Sequence, residues 1–375
     1  MTKPEDLLPE GLEDQLPPIA AKATAAMRAM LGAMHSHGYD RVRPPLVEFE
    51  RSLAGRMANA LARAGADTRQ TFRFTDPASL RTLALRSDIT PQVGRIAATS
   101  MADAPRPLRL CYAGEVTLIR ADQLHPARQR MQVGAELIGS DTVAAASEIV
   151  ALAIDALEAT GATGISVDFT LPDLVDTLSK EALPLSPERR DAVRRELDTK
   201  DAGGLKQAGG EAYLPLIHAT GPFDEAIEQL SAIDAGGALA SRITGLKSIA
   251  ARIAGRARVT LDPTERHGFE YQNWFGFTIY AAGSRRAIGR GGTYCIAGTD
   301  EPATGFSLYL EPLADALPDA SKDDLLFLPL GHDEGVAARL RTIGWRKIAA
   351  LDDSDDALAA SGCTHRLESG EAVAL

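Results

Sequence analysis

From Arg128 to Gly139 the letters RQRMQVGAELIG alternate with a period of two. Arg128, Arg130, Gln132, Gly134 and Glu136 share one face of an extended strand, and Gln129, Met131, Val133, Ala135 and Leu137 share the other. Two readings fit the polar face: the solvated side of an antiparallel sheet, or the floor of a small-molecule site in which Gly134 leaves a gap for a ligand to lie against the backbone. The preceding LRLCYAGEVTLIR is a second strand, joined through residues 121–127 into a long antiparallel hairpin. Upstream, TFRFTDP and TLALRSD predict a shorter hairpin that turns at Asp76 and Pro77. It runs into Thr90 and Pro91, an N-cap followed by proline at the first helical position, which opens a helix through Gln92 and Ile96. Asp88 lies at that junction, where a carboxylate serves either a turn or a ligand.

Helical stripes surround these strands. After a Pro-rich acidic arm, residues 1–17, the positions Ile19, Ala23, Met27, Met30, Leu31 and Met34 form one apolar stripe that stops near Gly38. RVRPPLVEF then predicts a short edge strand or interface arm, since Pro44 and Pro45 fit only a strand start or an edge. Asp141 to Gly161 is an Ala-rich helix, and ISVDFTL returns to strand. Residues 172–259 form a mainly helical insertion, with a Ser186-capped segment and Gly pairs that lack the Lys-Ser or Lys-Thr of a phosphate cradle. GFEYQNWFGFTIYAA and AIGRGGTYCIAG are strands, TGFSLYLEPL is a Gly-opened strand or helix, and the tail from Asp323 predicts a small β-α-β piece. The expectation is an α+β chain. A core at 18–312 holds an antiparallel sheet of about six strands flanked by helices, and 313–375 form a small C-terminal α/β piece.

A length of 375 residues leaves room for two domains with ample core. The formal net charge of -11 argues against a protein whose main work is to embrace a nucleic-acid backbone. Cys111, Cys295 and Cys363 are too few and scattered for a disulfide framework or metal knuckle, and the histidines show no i, i+4 pair. The first residues lack the basic and then apolar order of a signal peptide, and no run of eighteen apolar residues follows. A soluble cytoplasmic chain is expected. No Walker motif or Gly-x-Ser-x-Gly elbow occurs, so function is sought on the polar sheet face.

There the letters resemble the catalytic core of class II aminoacyl-tRNA synthetases, and among them the histidyl enzyme. GYDRVRPPLVEF resembles the first motif, with Pro45 at its proline and a dimer interface implied. LALRSDITPQV is similar to the Leu-Arg-Pro-Glu-x-Thr segment, with Asp88 at the glutamate and Thr90 at the threonine. YAGEVTLIRADQLHPARQRMQVGAELIG resembles the second motif throughout, HGFEYQNW the Arg-Gly-Leu-Asp-Tyr-Tyr motif, and RGGTY the Gly-Gly-Arg-Tyr motif. The likeness implies an amino-acid pocket of Asp88, Thr90, Gln132, Glu136, Tyr271 and Tyr294, with His267, Gln272 and Arg128 as additional candidates. Two carboxylates suit the ammonium and imidazole N–H donors of histidine. Asp at 88 and Gln at 272 depart from the family's Glu and Tyr.

The phosphate side departs further. Leu118 stands at the second-motif arginine, Arg120 at its acidic neighbour, Pro126 at the loop arginine, His267 at the arginine of the histidine motif and Pro312 at the third-motif arginine. Each lost charge-assisted contact is worth about 1.5–3 kcal/mol, so adenylation is expected to be dead. The stretch after Pro312 is short for a complete anticodon-binding domain. A histidine pocket without an ATP site resembles the regulatory subunits of short-form ATP phosphoribosyltransferase. That likeness implies a non-catalytic homodimer within a hetero-oligomer, which activates the short catalytic subunit and carries feedback inhibition by L-histidine. It implies no cofactor, no metal, no tRNA and no membrane. The competing readings are a synthetase-like amino-acid ligase, an amino-acid-binding paralogue with another role, and a dimeric scaffold with a solvated sheet face.

Overall fold

The computed structural model describes residues 7–53, 71–119, 127–180, 182–233, 235–266, 272–314, 316–317, 324–352 and 356–375. The chain divides into two compact units, Met1–Pro318 and Asp319–Leu375. The division falls later than Pro312 because Leu310 and Leu313, on a short helix Leu310–Ala314, are buried in the core of the first unit.

Strands of the first unit are β1 Asp40–Arg41, β2 Val47–Phe49, β3 Arg73–Thr75, β4 Thr82–Leu85, β5 Leu108–Thr117, β6 Gln129–Ile138, β7 Ser166–Thr170, β8 Gly221–Pro222, β9 Arg258–Leu261, β10 Gln272–Tyr280, β11 Gly289–Cys295 and β12 Pro302–Tyr309. Nine of them form one sheet in the order β1-β5-β6-β12-β11-β10-β7-β9-β8. Every pairing from β5 to β7 is antiparallel, which is the expected six-stranded sheet. β1 is added parallel to β5, and β9 parallel to β7. These edges escape a sequence reading because two-residue strands such as β1 and β8 show no alternation. β2, β4 and β3 form a separate small sheet, with the predicted hairpin between β3 and β4.

One face of the large sheet carries the main core. Val133, Ala135 and Leu137 point from β6 into it, together with Phe275, Phe277 and Ile279 from β10. The helices Ile19–Ser36, Val143–Glu158 and Ala240–Arg252 cover that face with Met30, Met34, Ile149, Ile154 and Leu246. Ile19 leaves the predicted stripe and stays exposed. Helix Val143–Glu158 starts two residues later than expected from Asp141, because the Thr142 side chain accepts from Ala145 N and caps it. The insertion is mainly helical as expected, and it closes back on the sheet through β8 and β9.

The opposite face carries a smaller core under helix Thr90–Ala98, where Ile89, Val93 and Ala97 pack on Leu110, Tyr112, Ile138, Tyr294 and Ala303. The polar side of β6 is therefore buried, which excludes the solvated reading. Arg86 ties this layer together. Its Nε donates to Glu115 O at 2.7 Å and its Nη1 to Pro44 O at 2.9 Å, which fixes the Pro44–Pro45 segment against β5. Gly114 is glycine because a Cβ there would strike the Arg86 guanidinium.

In the second unit β13 Leu325–Leu328 and β14 Arg346–Ala349 run parallel, with helix Glu334–Thr342 between them in sequence, the expected β-α-β. A hairpin of β15 His365–Glu368 and β16 Glu371–Ala374 was not anticipated. Its Ser369-Gly370 turn has positive φ at both residues, 49° and 90°, as a type I′ turn requires.

Replacing Arg86 by Met would leave the Pro44 and Glu115 carbonyls without their donor. The first unit should lose roughly 3 kcal/mol, read as a lower urea midpoint.

Candidate functional site

The site lies on the second face, where β5, β6, β11 and β12 meet the start of helix Thr90–Ala98. Alternation on β6 aims Gln132 and Glu136 at that helix, and the register sets their neighbours: Gly134 faces Tyr112 on β5 and Ser307 on β12, and Glu136 faces Gly305. Glu136 is 1% exposed and Gln132 is fully buried. Glu136 Oε1 accepts from Thr90 Oγ1 and Tyr112 OH, both at 3.1 Å, and Oε2 accepts from Tyr294 OH at 2.7 Å. Gln132 Nε2 donates to Asp88 Oδ1 and to Ser307 Oγ, each at 2.7 Å, while its Oε1 accepts the Ile89 N–H at 3.0 Å. Tyr112 OH and Ser307 Oγ are 3.0 Å apart. The hydrogen bonds close a circuit through Glu136, Tyr112, Ser307, Gln132, Asp88 and Thr90.

The helix start makes that circuit possible. Thr90 was expected to be the N-cap, but Ile89 holds that position and Thr90 is the first helical residue. Asp88 Oδ1 accepts the Thr90 N–H at 3.1 Å, so Asp88 supplies the acceptor that the helix end needs. The Thr90 hydroxyl is thereby released to Glu136. The two roles weighed for Asp88 coincide, since one carboxylate serves both the turn and the polar cluster.

Burial dominates the electrostatics. Desolvation pushes the Glu136 carboxyl up to about 8, against the opposing pull of the Tyr294, Thr90 and Tyr112 hydroxyls and with a further push from the Asp88 charge. Burial also raises Asp88, moderated by the Gln132 amide and Thr90. Tyr112 is held well above the usual phenol range by burial and by both carboxylates. Among the described residues no cation pairs with either carboxyl, so the pair is a cluster of acceptors.

Of the residues expected from sequence, Asp88, Thr90, Gln132, Glu136 and Tyr294 meet in this cluster. His267 and Tyr271 lie outside the described residues, as does the side chain of Gln272, whose backbone pairs with Tyr294 at the start of β10. Arg128 is engaged elsewhere: it donates to Leu118 O at 3.2 Å and Glu10 O at 3.0 Å, and its guanidinium lies over Phe72. It pins the N-terminal arm to the hairpin. The gap foreseen at Gly134 is filled by the chain itself, because a Cβ there would meet Phe306 O and the Tyr112 hydroxyl. Tyr112 and Ser307 were missed. The glycine in the polar row was their signal, since it marks where a large neighbour crosses.

A row of glycines crosses the sheet beside it. Register places Gly305, Gly292 and Gly276 side by side on β12, β11 and β10, between Glu136 and Thr170. The three strands carry no side chain along this row, and Tyr294 reaches Glu136 from the next row of β11. At Gly305 none fits, for a Cβ would collide with Glu136 Oε2. Among the described residues no group of three His, Cys, Asp or Glu could hold a metal ion.

The histidyl-tRNA synthetase family model matches residues 11–313. An ATP phosphoribosyltransferase regulatory subunit of Rhodospirillum centenum is 42% identical over 368 residues, 96% of this chain and 94% of its own length. One of Paramagnetospirillum magneticum is 39% identical over 370 residues, 96% of each chain. This chain belongs to the ATP phosphoribosyltransferase regulatory subunit family. The fold is that of a solved ATP phosphoribosyltransferase regulatory subunit/histidyl-tRNA synthetase of Bacillus halodurans C, at TM-score 0.79 and 22% identity over 96% of this chain and 97% of that one. A histidyl-tRNA synthetase of Nostoc sp. PCC 7120 gives TM-score 0.77 at 15% identity, over 97% and 91%. Relatives among the regulatory subunits cover the second unit as well, which the synthetase model leaves out. No described helix of this family member is long and apolar enough to cross a membrane.

The raised carboxyl has a consequence for stability. Folded protein keeps the Glu136 proton up to about pH 8, whereas the unfolded chain releases it near 4.5. Stability contributed by this group is therefore full below the lower value and falls as pH rises towards the upper one, by up to about 1.4 kcal/mol per pH unit. Urea midpoints measured across that window should decline more steeply for the wild type than for Glu136→Gln. Parallel declines would show that Glu136 titrates as an ordinary carboxylate.

Proposed function

We propose that this chain is the histidine-sensing subunit of a short-form ATP phosphoribosyltransferase. It activates the short catalytic subunit and relays feedback inhibition by histidine at the first step of histidine biosynthesis, and it does no chemistry itself. The observation that carries this is a contrast within one sheet face. On the acidic side, buried Gln132, Glu136 and Tyr294 are joined by hydrogen bonds to half-buried Asp88. The arginine positions of the phosphate side hold Leu118, Pro126, His267 and Pro312. Such a face keeps a site for a cationic amino acid and has lost the clamp for a nucleotide triphosphate.

Histidine supplies what the cluster lacks. Its ammonium and ring N–H groups are donors, and among the described residues Glu136 and Asp88 are acceptors with no cation partner. The backbone of Gly292 and Gly276, which carries no side chain in the row of Glu136, is where a planar ring would lie. Binding of a cation favours ionised Glu136, so it releases a proton near neutral pH. Feedback follows by linkage: the assembly with the catalytic subunit that binds histidine more tightly is the inhibited one, and histidine draws the population into it. The assembly is a homodimer of this chain within a cytoplasmic hetero-oligomer, and tRNA is not a partner of so acidic a chain.

Phosphoribosyl transfer from phosphoribosyl pyrophosphate to ATP by the same organism's short catalytic subunit should rise when this chain is added and fall again with histidine. In Glu136→Gln the histidine concentration for half-inhibition should rise by at least about tenfold. If the chain leaves the rate unchanged and does not associate with the catalytic subunit, the proposal fails. Histidine-dependent pyrophosphate exchange, the mark of the synthetase-like reading, should be absent.

A further inference from the structure

Donor and acceptor counting around Glu136 fixes more than contacts. Gln132 receives the Ile89 N–H on Oε1, so its Nε2 faces Ser307 and Asp88, and an amide nitrogen can only donate. Ser307 Oγ must accept from it. The one proton of Ser307 then has a single acceptor among the described residues, the oxygen of Tyr112 at 3.0 Å. Tyr112, supplied from that side, gives its own proton to Glu136 Oε1 at 3.1 Å or to Thr90 Oγ1 at 3.0 Å, and Thr90 in turn donates to Glu136 Oε1, so both routes run towards the carboxylate. The chain Gln132 to Ser307 to Tyr112 to Glu136 thus has one direction, and it is sealed: Gln132 is fully buried, Tyr112 likewise, and Ser307 is 4% exposed. Gly134 exists to let it pass.

We propose that Ser307 and Tyr112 are positioning residues of the ligand site, holding Glu136 as an acceptor and tying its charge to the amide of Gln132 without touching the ligand. This rests on the histidine-sensing reading for the identity of the ligand, and on the geometry alone for the relay. Among the described residues the titratable groups facing Glu136 are Tyr112 on β5, Tyr294 on β11 and Asp88 before the helix, and Tyr39 beyond them senses its charge. Of these, Tyr112 is the one oriented by the rest of the circuit. Its hydroxyl favours the anion, so its loss makes Glu136 hold its proton to higher pH.

The test combines two measurements on the full chain. Histidine affinity is followed by calorimetry as a function of pH for the wild type, Tyr112→Phe and Ser307→Ala. The Glu136 carboxyl is titrated by carbon-13 NMR in the same proteins without ligand, and thermal melts check that each is folded. Tyr112→Phe should weaken histidine binding about tenfold at neutral pH and move the acid limb of the binding profile, and the ligand-free titration, up by about one pH unit. Ser307→Ala should move both in the same direction by less, although it leaves every contact to Glu136 in place. Weakened binding with unmoved pH limbs would reduce both residues to packing and overturn the proposal, as would an unmoved carboxyl titration. A wild type that binds no histidine would sink the functional reading, while the ligand-free titration would still decide the relay.

Discussion

A buried carboxylate held by hydroxyls is the constraint around which this face of the sheet is built. Among the described residues no arginine or lysine neutralises Glu136; three hydroxyls, from Thr90, Tyr112 and Tyr294, take its lone pairs instead. Neutral donors satisfy hydrogen-bonding capacity without supplying charge, so the desolvation cost is met only in part and proton affinity rises. Each hydroxyl comes from a different element, and each element is held in place for it. Asp88 caps the helix so that Thr90 can turn inward, Gly134 clears the way for Tyr112, and Gly305 makes room for the carboxylate.

The positions at which the synthetase likeness implies phosphate-binding arginines hold Leu118, Pro126, His267 and Pro312. Arg86 and Arg128 act instead as fasteners of backbone carbonyls. Under the proposed function such a face recognises a small cation and leaves phosphoryl chemistry to the partner.

Much of this was legible in the letters. Period-two alternation located β6 and its long hairpin with β5, the run of antiparallel strands and the insertion, and five of the six primary pocket residues meet in one cluster. The remainder was hidden for physical reasons. A polar row reads the same whether water or a helix faces it, so the burial of Gln132 and Glu136 could not be seen until helix Thr90–Ala98 was in place. Tyr112 stands between Cys111 and Ala113, with no polar neighbour to single it out. Ser307 sits on a strand that could not be told from a helix by periodicity, and its alignment with Gly134 is a fact of register between segments far apart in sequence. Arg128 shared the parity of the pocket residues, but it lies beyond the end of β6, where alternation no longer dictates direction.

The glycine strip carries a further consequence. Three glycines side by side at the middle of a sheet are the weakest pairing a sheet can have, for each gives up side-chain packing and increases the freedom lost on folding. A side chain in their place would add packing, but at Gly305 it would displace the Glu136 carboxylate. Weak pairing at the middle of the sheet is therefore the condition on which Glu136 holds its place.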